Sequence, residues 1–421
     1  MNPFIRKIPR GVIYHQVSES FRYLLASLFM PLGGREKVGE FERAFAAYCD
    51  RKHCVAFPLA RIAIYFVLKD LALPKGSEVI LPPITIKGIV DVVLELGLVP
   101  VYVEMDPETI NFEMNDLRKK INPKVRVAII TPLFGLVPDI AAMMTLFRGH
   151  GIFVIEDFSQ CLNARFDGKR VGTFGDVGIY SSSSIKMLDT LGGGLAITDD
   201  DPTHDGLRRA QSGLFPADRK LLVRKAWVNL VRNVATTQPV FSLMTFPLLQ
   251  FIRKRDAGSA LKQTGHRDKG RLPALPRVWF CKYSSVQAEI GLAHIDAVLA
   301  GDKARVANVA FVKANSGMAR FPATTETSDN VYWQLIVLVP SAVEAQGFFA
   351  RRGIDSATSS LELVCALKEY PNRVDLPIAE RVYRNGLLIP CFPELSRADI
   401  ERIAVATKEF FAGPGQRSGA V

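Results

Sequence analysis

VIEDFSQ at residues 154–160 and GTFGDVGIYSSSSIK at residues 172–186 decide the fold of this 421-residue chain. In each stretch a short apolar run ends at polar residues. The first run ends at Asp157, and the second is followed by four serines and Lys186. Runs without polar alternation are typical of strands covered on both faces of a parallel sheet. Because open α/β sheets bind ligands at the carboxyl ends of their strands, both side chains are candidates for a ligand site.

Similar apolar runs and helical stretches alternate from residue 54 to residue 198. The predicted strands are residues 54–57, 78–81, 100–103, 125–131, 152–155, 177–180 and 195–198. The predicted helices are residues 60–71, 85–96, 140–149 and, beyond an interruption, 284–299. This alternation predicts an α/β layered domain with a mostly parallel sheet.

A second, smaller α/β domain is predicted in the C-terminal part of the chain. Its pattern gives a strand at residues 331–339, a helix at residues 343–352 that stops at Gly353, and a final helix at residues 397–411 that Ser396 caps. The predicted organisation is an N-terminal segment (1–35), a large domain (36–206 and 279–299), a helical insertion (207–278) and a small C-terminal domain (300–421).

The composition is that of an ordinary globular protein, with 48% hydrophobic and 23% charged residues. The six cysteines are scattered, without a CxxC pair or the spacing of metal ligands. This usage favours a reducing compartment and predicts no metal site. No apolar run or cleavage site follows the basic N-terminal residues, so no secretory signal is predicted. We expect a cytoplasmic protein, either free or peripheral to the inner face of the membrane.

The net charge of +11 comes from one segment of the chain. Residues 201–282 contain 16 Lys and Arg against 5 Asp and Glu, and the remainder has 37 of each sign. Within this segment, residues 219–232 form a basic amphipathic stretch and residues 233–252 carry no charge. The excess therefore belongs to the insertion, while the rest of the chain has the balance of an ordinary enzyme.

Three arrangements are open for residues 219–255. They form a helical pair packed on the body or on a dimer partner, they contact a membrane surface, or they span a membrane. Basic flanks and aromatic residues such as Trp227 favour contact with lipid headgroups over a span, which Pro239 and Pro247 disfavour. No nucleic-acid module accompanies the charge, so nucleic acid is not an expected partner.

Asp157 and Lys186 together have a chemical meaning that neither has alone. A Schiff-base lysine needs a site in which it loses its proton, and pyridoxal phosphate (PLP) needs an acid opposite its ring nitrogen. The serines at residues 181–184 offer hydrogen bonds to a phosphate, and the glycines at residues 192–194 let the backbone approach closely. Taken singly, an Asp at a strand end is usually a helix cap, and a Lys is usually a solvated surface residue.

Longer motifs occur in a fixed order along the chain. They are HCVAFPLARIAIYFVLKDL (53–71), SEVILPPIT (77–85), PVYVEMDPETINFEMNDLRKKI (100–121) and SSVQAEIGLAHID (284–296). Together with IEDFSQ and GTFGDVGIYSSSSIK, these motifs resemble those of the DegT/StrS family of sugar aminotransferases. The resemblance covers residues 36–200 and 279–412.

The resemblance implies a fold-type-I PLP enzyme that forms a homodimer with active sites at the subunit interface. The implied activity is the transfer of an amino group from glutamate to a keto-sugar, typically nucleotide-linked, in polysaccharide or glycoconjugate biosynthesis. The predicted large domain is then the PLP-binding domain. Lys186 matches the family's Schiff-base lysine and Asp157 the acid opposite the pyridine nitrogen. Gln160 matches a contact of the ring or its phenolic oxygen, and Ser181 a ligand of the phosphate.

The chain departs from the family pattern in four motifs. Ala60 and Arg61 replace a Gly-Thr pair whose backbone N–H groups bind the phosphate at a helix start. Arg61 is expected either to pair with the phosphate itself or to be a surface arginine. Ile86 replaces the aromatic residue that stacks on the PLP ring, so we expect it to cover the ring without stacking. The family's Gly-Glu-Gly-Gly is Leu191-Gly192-Gly193-Gly194 here, so its acid is missing, and Phe280 stands where the family has a phosphate-binding asparagine.

Two alternatives stay open beside transfer to a soluble keto-sugar. In the first, the acceptor is lipid-linked or amphiphilic and is presented at the membrane by residues 219–255. In the second, the chain is a degenerate, non-catalytic homologue that binds a partner. The retention of both Lys186 and Asp157 argues against the second alternative. Lys186 also argues against the family's dehydratases, in which a histidine replaces the lysine.

Overall fold

The centre of the large domain is a seven-stranded sheet in which six strands run in one direction. The structure is a computed structural model that describes residues 6–255 and 271–413. In spatial order the strands are β1 (His53–Phe57), β10 (Gly194–Thr198), β9 (Val177–Ser181), β6 (Phe153–Asp157), β5 (Val125–Ile130), β2 (Glu78–Leu81) and β4 (Val99–Tyr102). Within this sheet β10 alone runs antiparallel to its neighbours. The predicted mostly parallel sheet is confirmed.

Helices cover both faces of this sheet, because alternate strand residues bury apolar side chains on opposite sides. On β5, for example, Val127 and Ile129 pack into one cluster, whereas Ala128 and Ile130 pack into the other. The helices of this part are α1 (Val17–Phe29), α2 (Arg35–Tyr48), α3 (Ala60–Asp70), α4 (Lys87–Glu95), α5 (Met114–Lys120), α6 (Ile140–Gly149), α7 (Asp201–Ser212) and α11 (Ser285–His294).

The C-terminal part has its own apolar core around an antiparallel strand pair. Its elements are α12 (Val298–Asn315), β12 (Leu335–Leu338), α13 (Ala342–Arg351), α14 (Pro377–Asn385), β14 (Gly386–Ile389) and α15 (Arg397–Ala412). Two small sheets join it to the large domain: β3 (Ile84–Thr85) with β13 (Glu362–Leu363), and β11 (Ser328–Asp329) with β7 (Arg165–Phe166) and β8 (Lys169–Arg170). Short 3₁₀ turns occupy Leu133–Gly135, Arg277–Phe280, Ile295–Ala297 and Val364–Ala366.

The predicted ends of two C-terminal helices are confirmed, but two other predictions were wrong in extent. Gly353 has a φ of 73°, and the Ser396 hydroxyl accepts a hydrogen bond from the Asp399 N–H at 3.2 Å. The helix predicted at residues 284–299 ends at His294, where a 3₁₀ turn changes its direction. The strand predicted at residues 331–339 is limited to β12, because Tyr332 has a φ of 49°, which an extended strand does not tolerate.

The insertion begins with α8 (Arg219–Thr236), which packs along α1. It continues as α9 (Gln238–Val240), a π-helical turn (Phe241–Thr245) and α10 (Phe246–Arg255). Buried amides attach α8 to the body. The Asn229 side-chain oxygen accepts from the Ser20 hydroxyl at 3.1 Å, and the Asn233 amide donates to the His15 carbonyl at 2.6 Å. Among the described residues, no helix has the length and apolar character that a membrane crossing requires.

Parts of the predicted segments lie outside the described residues. These are residues 1–5 of the N-terminal segment, 256–270 of the insertion and 414–421 of the C-terminal domain.

Candidate active site

Asp157 and Ser181 lie at the same edge of the central sheet, because each ends one of two neighbouring parallel strands. β6 and β9 pair so that Asp157 stands opposite Ile179, and β9 ends two residues later. Lys186 follows five residues after Ser181 and is close enough to Asp157 for their charges to interact. The structure therefore brings together the acid, the serine and the lysine that the sequence singled out.

A tight turn carries Lys186 from the end of β9 into the protein interior. Its backbone N–H donates to the Ser183 carbonyl at 3.0 Å, and the preceding residue, Ile185, has a φ of 75°. A β-branched residue in the left-handed region is strained, and proteins hold such strain chiefly at functional sites. The turn leaves the Lys186 side chain only 8% exposed.

Burial lowers the pKa of Lys186 to about 8, while the Asp157 carboxylate opposes the shift. The ammonium lies 3.8 Å from the centre of the Trp333 ring, and the indole Nε1 donates to the Ile185 carbonyl at 2.8 Å. Removal from water disfavours the charged form of an amine. Lys186 therefore has a larger neutral, nucleophilic fraction at physiological pH than a surface lysine has.

Burial also raises the pKa of Asp157, and two interactions oppose that shift. They are hydrogen bonding from Ser159, through its hydroxyl and through its N–H, which lies 3.1 Å from the Asp157 Oδ1, and the charge of Lys186. Burial thus disfavours the charged forms of both Asp157 and Lys186, and the attraction between the two charges partly offsets this cost. A buried acid and a buried amine with shifted pKa values at one edge of an α/β sheet are typical of a catalytic site.

Gln160 has a different contact from the one that the family resemblance implies. Its side-chain oxygen accepts a hydrogen bond from the Phe134 N–H at 2.6 Å. Phe134 has a φ of 57°, and it lies in the turn that follows β5. The oxygen of Gln160 therefore holds a backbone turn, and the predicted contact with PLP remains a prediction for its amide nitrogen.

The first three of the four serines before Lys186 divide into two groups. The Ser181 N–H donates to the Ser159 hydroxyl at 2.9 Å, and its own hydroxyl donates to that of Ser183 at 3.2 Å. Ser182 is fully buried and accepts a hydrogen bond at 2.8 Å from Thr190. Ser182 consequently holds the turn together, whereas the hydroxyls of Ser181 and Ser183 lie next to each other at the partly exposed edge.

The start of α3 lies against the glycine loop before β10. Gly194 has no room for a side chain, because a Cβ there would overlap the backbone of Ala60. Arg61 is buried, so the alternative of a surface arginine is wrong. Its guanidinium stacks on the Trp279 ring at 4.5 Å and lies against Gly88. A helix start with a buried guanidinium beside it is a favourable environment for an anion.

Lys225 of α8 adds a second cation to this region and was missed by the sequence reasoning. Its Nζ lies only 2.6 Å from the position that a Cβ on Gly192 would take. Burial lowers the pKa of Lys225 to about 8, and the charge of Arg61 contributes to the same shift. The sequence carried a weak signal for this residue, namely the excess of basic residues in the insertion.

The three other departures from the family pattern have structural explanations. Ile86 precedes α4 and is 37% exposed, so none of the described residues covers it fully. Leu191 is buried with Leu24 and Leu222 in an apolar seam between the large domain, α1 and α8, and the Lys225 side chain occupies the space that a side chain on Gly192 would need. Phe280 packs edge-on against an aromatic pair on α3.

Comparisons with known proteins agree with this fold. The sequence profile of the DegT/DnrJ/EryC1/StrS aminotransferase family matches residues 16–220. The chain is 29% identical to GDP-perosamine synthase of Vibrio cholerae over 183 residues, 43% of this chain and half of that protein's length (50%). It is 25% identical to GDP-perosamine synthase of Caulobacter vibrioides over 380 residues, 87% of this chain and 88% of that protein.

A solved structure is similar over nearly the whole chain. The aminotransferase from Psychrobacter cryohalolentis superposes with a TM-score of 0.73 at 20% identity, and the match covers 94% of this chain and 96% of that one. This similarity confirms the predicted fold-type-I architecture, with its large, mostly parallel sheet and smaller C-terminal domain.

Proposed function

The chain belongs to the DegT/DnrJ/EryC1/StrS aminotransferase family, and on this premise we propose that it transfers an amino group from glutamate to a nucleotide-linked keto-sugar. The product would serve polysaccharide or glycoconjugate biosynthesis. One observation carries the proposal: the buried Lys186, with its lowered pKa, lies beside the buried carboxylate of Asp157. The names of the two GDP-perosamine synthases support a nucleotide-linked acceptor.

PLP fits the residues at this edge of the sheet. Lys186 would hold its aldehyde carbon and Asp157 its ring nitrogen. Ser181 and the N–H groups of Ala60 and Arg61 would hold its phosphate, because a hydroxyl and a helix start both favour an anion. Bound PLP supplies an electron sink for the carbon that loses a proton.

Two further residues would complete this cofactor site. Ile86, which is partly exposed, would cover one face of the ring without stacking on it. Gln160 would contact the ring or its phenolic oxygen through its amide nitrogen, because its oxygen is bonded to Phe134.

The chain's own groups would carry the proton movements. The neutral Nζ of Lys186 would accept the proton from the α-carbon of the donor and, once protonated, would deliver it as a general acid to the carbon that was the aldehyde of PLP. The Asp157 carboxylate would hold a proton on the ring nitrogen of PLP. The walls around Lys186, including Trp333, keep the reacting groups away from bulk water.

The test is the visible absorbance of the purified protein reconstituted with PLP. We expect an absorbance that Lys186→Ala abolishes and that Lys220→Ala, at an exposed lysine of α8, leaves unchanged. Addition of glutamate should convert the spectrum of the wild type to that of the aminated cofactor. An absorbance that survives Lys186→Ala would overturn the proposal. A bound cofactor that no amino donor converts would favour the non-catalytic alternative.

We further propose that the chain acts as a homodimer with its sites at the subunit interface. Two phenylalanines of α1 support this, because Phe21 and Phe29 are 52% and 78% exposed and suit an interface with a second copy. Sedimentation equilibrium should give the dimer mass, and Phe21→Asp combined with Phe29→Asp should give the monomer. A wild-type monomer at micromolar concentration would contradict this proposal.

A second candidate function is amino transfer to an amphiphilic acceptor at a membrane surface. Residues 219–255 carry eight basic and no acidic residues. Several of their apolar side chains are exposed, among them Trp227, Leu243, Met244 and Phe251. This combination suits a surface lying among anionic headgroups. The protein should co-sediment with anionic vesicles, and Leu243→Asp with Met244→Asp should abolish the binding. If the wild type and the variant co-sediment with the vesicles to the same extent, this candidate function is wrong.

A further inference from the structure

A cavity of about 400 Å³ lies between the insertion, the N-terminal segment and the C-terminal part of the chain. Its volume is within the range of small-molecule sites. Residues 9–14 form one wall, α8 and α10 a second, and residues 388–392 a third. The insertion thus encloses a space that the rest of the chain alone would leave open.

The inner end of the cavity reaches the candidate active site. It is lined by Ile185, which precedes Lys186 in the chain, and by Trp333, whose ring covers the Lys186 ammonium. The Trp333 ring lies 3.8 Å from the Lys186 ammonium, and its Nε1 is bonded to the Ile185 carbonyl. A molecule in the cavity is therefore one indole ring away from the reacting lysine.

The walls of the cavity are mostly apolar. Val12, Ile13, Leu249, Leu388 and Phe392 are representative of the lining. Three charged residues line it: Arg10 and Asp355 form an ion pair, with the Arg10 Nη2 2.9 Å from the Asp355 Oδ1, and Arg232 adds a positive charge. A nucleotide would need polar partners along its whole length, whereas an apolar chain is satisfied by such walls.

The outer end of the cavity meets an exposed apolar surface on α10. Ile252 lines the cavity and is 38% exposed, and its helix neighbours Leu248 and Phe251 are 58% and 51% exposed. Apolar side chains thus lead from the surface of α10 to the edge of Lys186. The route is suited to a chain that enters from an apolar phase.

We propose that this cavity binds an alkyl or acyl chain attached to the amino acceptor, so that the keto group of the acceptor is held near Lys186. This inference rests on the proposed aminotransferase function and, for the same site, favours the amphiphilic acceptor of the second candidate, with an apolar tail, over a nucleotide-linked sugar. Each buried methylene contributes to affinity, and the expected gain is about fourfold per CH₂ until the cavity is full.

The probe is a series of non-ionic alkyl glucosides, from hexyl to decyl, used below their micelle concentrations. Calorimetric titration of the full-length protein should give an affinity that rises about fourfold per methylene. Ala235 of α8 lines the cavity, so Ala235→Trp should fill it and lower the affinity for the longest glucoside by at least about tenfold. Val234→Trp, at the neighbouring exposed position, is the matched control and should bind as the wild type does.

A second variant tests the cavity independently, in case Ala235→Trp does not fold. Leu249→Trp fills the cavity from α10, and both variants must keep the visible absorbance of bound PLP and its conversion by glutamate. If affinity is independent of chain length, or both filled variants bind as the wild type does, the proposal is overturned. It is also overturned if Leu243→Asp abolishes binding while Ala235→Trp does not, because the probe then binds the outer surface.

Failure of the proposed function gives a different result from failure of this inference. Loss of donor conversion in the wild type, with chain-length-dependent binding intact, would refute the aminotransferase and leave the cavity as an apolar-chain site. Normal donor conversion without chain-length dependence would refute the cavity site alone.

Discussion

The side-chain oxygen of Gln160 accepts a 2.6 Å hydrogen bond from the backbone N–H of Phe134, across the ends of two neighbouring strands. The turn that it fixes is closely packed, because a Cβ on Gly135 would lie 2.6 Å from the backbone nitrogen of Trp333. Gln160 therefore positions the turn against which Trp333 rests. This role is additional to any contact with PLP.

Loss of that acceptor should destabilise the protein. In Gln160→Met the buried Phe134 N–H has no side-chain acceptor, and we expect the free energy of unfolding to fall by about 2 kcal/mol. Urea unfolding of the apoprotein measures it. Lys220→Met, at an exposed position, is the control. A stability equal to that of the wild type would show that this hydrogen bond does not hold the turn.

Lys186→Met should stabilise the apoprotein at neutral pH. The pKa of Lys186 is about 8 in the folded chain against an ordinary value of 10.5, so the unfolded chain binds more protons between these pH values. Folding is therefore penalised as the pH falls through this window, by up to about 3 kcal/mol below pH 8. The stability gain of Lys186→Met should be largest at pH 7 and should shrink toward pH 10. A gain independent of pH would contradict the burial of a charged Lys186.

Asp157→Asn should retain PLP but lose activity. The amide cannot stabilise a positive ring nitrogen, and we expect conversion by glutamate to slow by about 100-fold or more. The pKa of Lys186 should fall further, because the carboxylate that opposes its shift has gone. The pH profile of PLP attachment measures this second effect. Asp201→Asn, at an exposed carboxylate, should change neither quantity.

Asn229→Ala should weaken the attachment of α8. The Asn229 amide donates to the Asp189 Oδ2 at 2.8 Å, and burial raises the pKa of Asp189. Without that donor the buried carboxylate is less well compensated, and we expect a loss of about 2 kcal/mol at pH 7. Because the folded-state pKa of Asp189 then rises further, the loss should be smaller at pH 5 than at pH 8. Asn115→Ala, at a surface helix, is the control, and equal losses in both variants would refute this role.

The strands and the central pair were accessible from sequence because their signals are local. An apolar run followed by Asp157, or by serines and Lys186, can be recognised within ten residues. The carboxyl ends of neighbouring parallel strands lie at the same edge of the sheet, independently of the loops between them. The strand that was predicted to begin at residue 331 failed for an equally local reason. Tyr332 and its neighbours have the composition of a strand, but the φ of 49° at Tyr332 interrupts the extended backbone. No residue type in this segment predicts that conformation.

The remaining parts of the site depend on contacts that are distant in sequence. Trp333 lies 147 positions after Lys186, so nothing in either segment predicts that the indole covers the ammonium. The burial of Arg61 depends on Trp279, which belongs to the other side of the insertion. Lys225 was visible only as one charge among many, because its packing against Gly192 is what distinguishes it from the exposed Lys220 of the same helix.

The hydrogen bond from Asn229 to Asp189 has a practical meaning for engineering this chain. Asp189 stands three residues after Lys186 and also accepts the Leu191 N–H at 2.7 Å, so α8 shares a support with the lysine turn. Replacing the insertion with a shorter loop would remove that support. It would also expose the apolar seam that contains Leu191. The insertion is therefore a structural part of the large domain, and its surface is best redesigned by single substitutions.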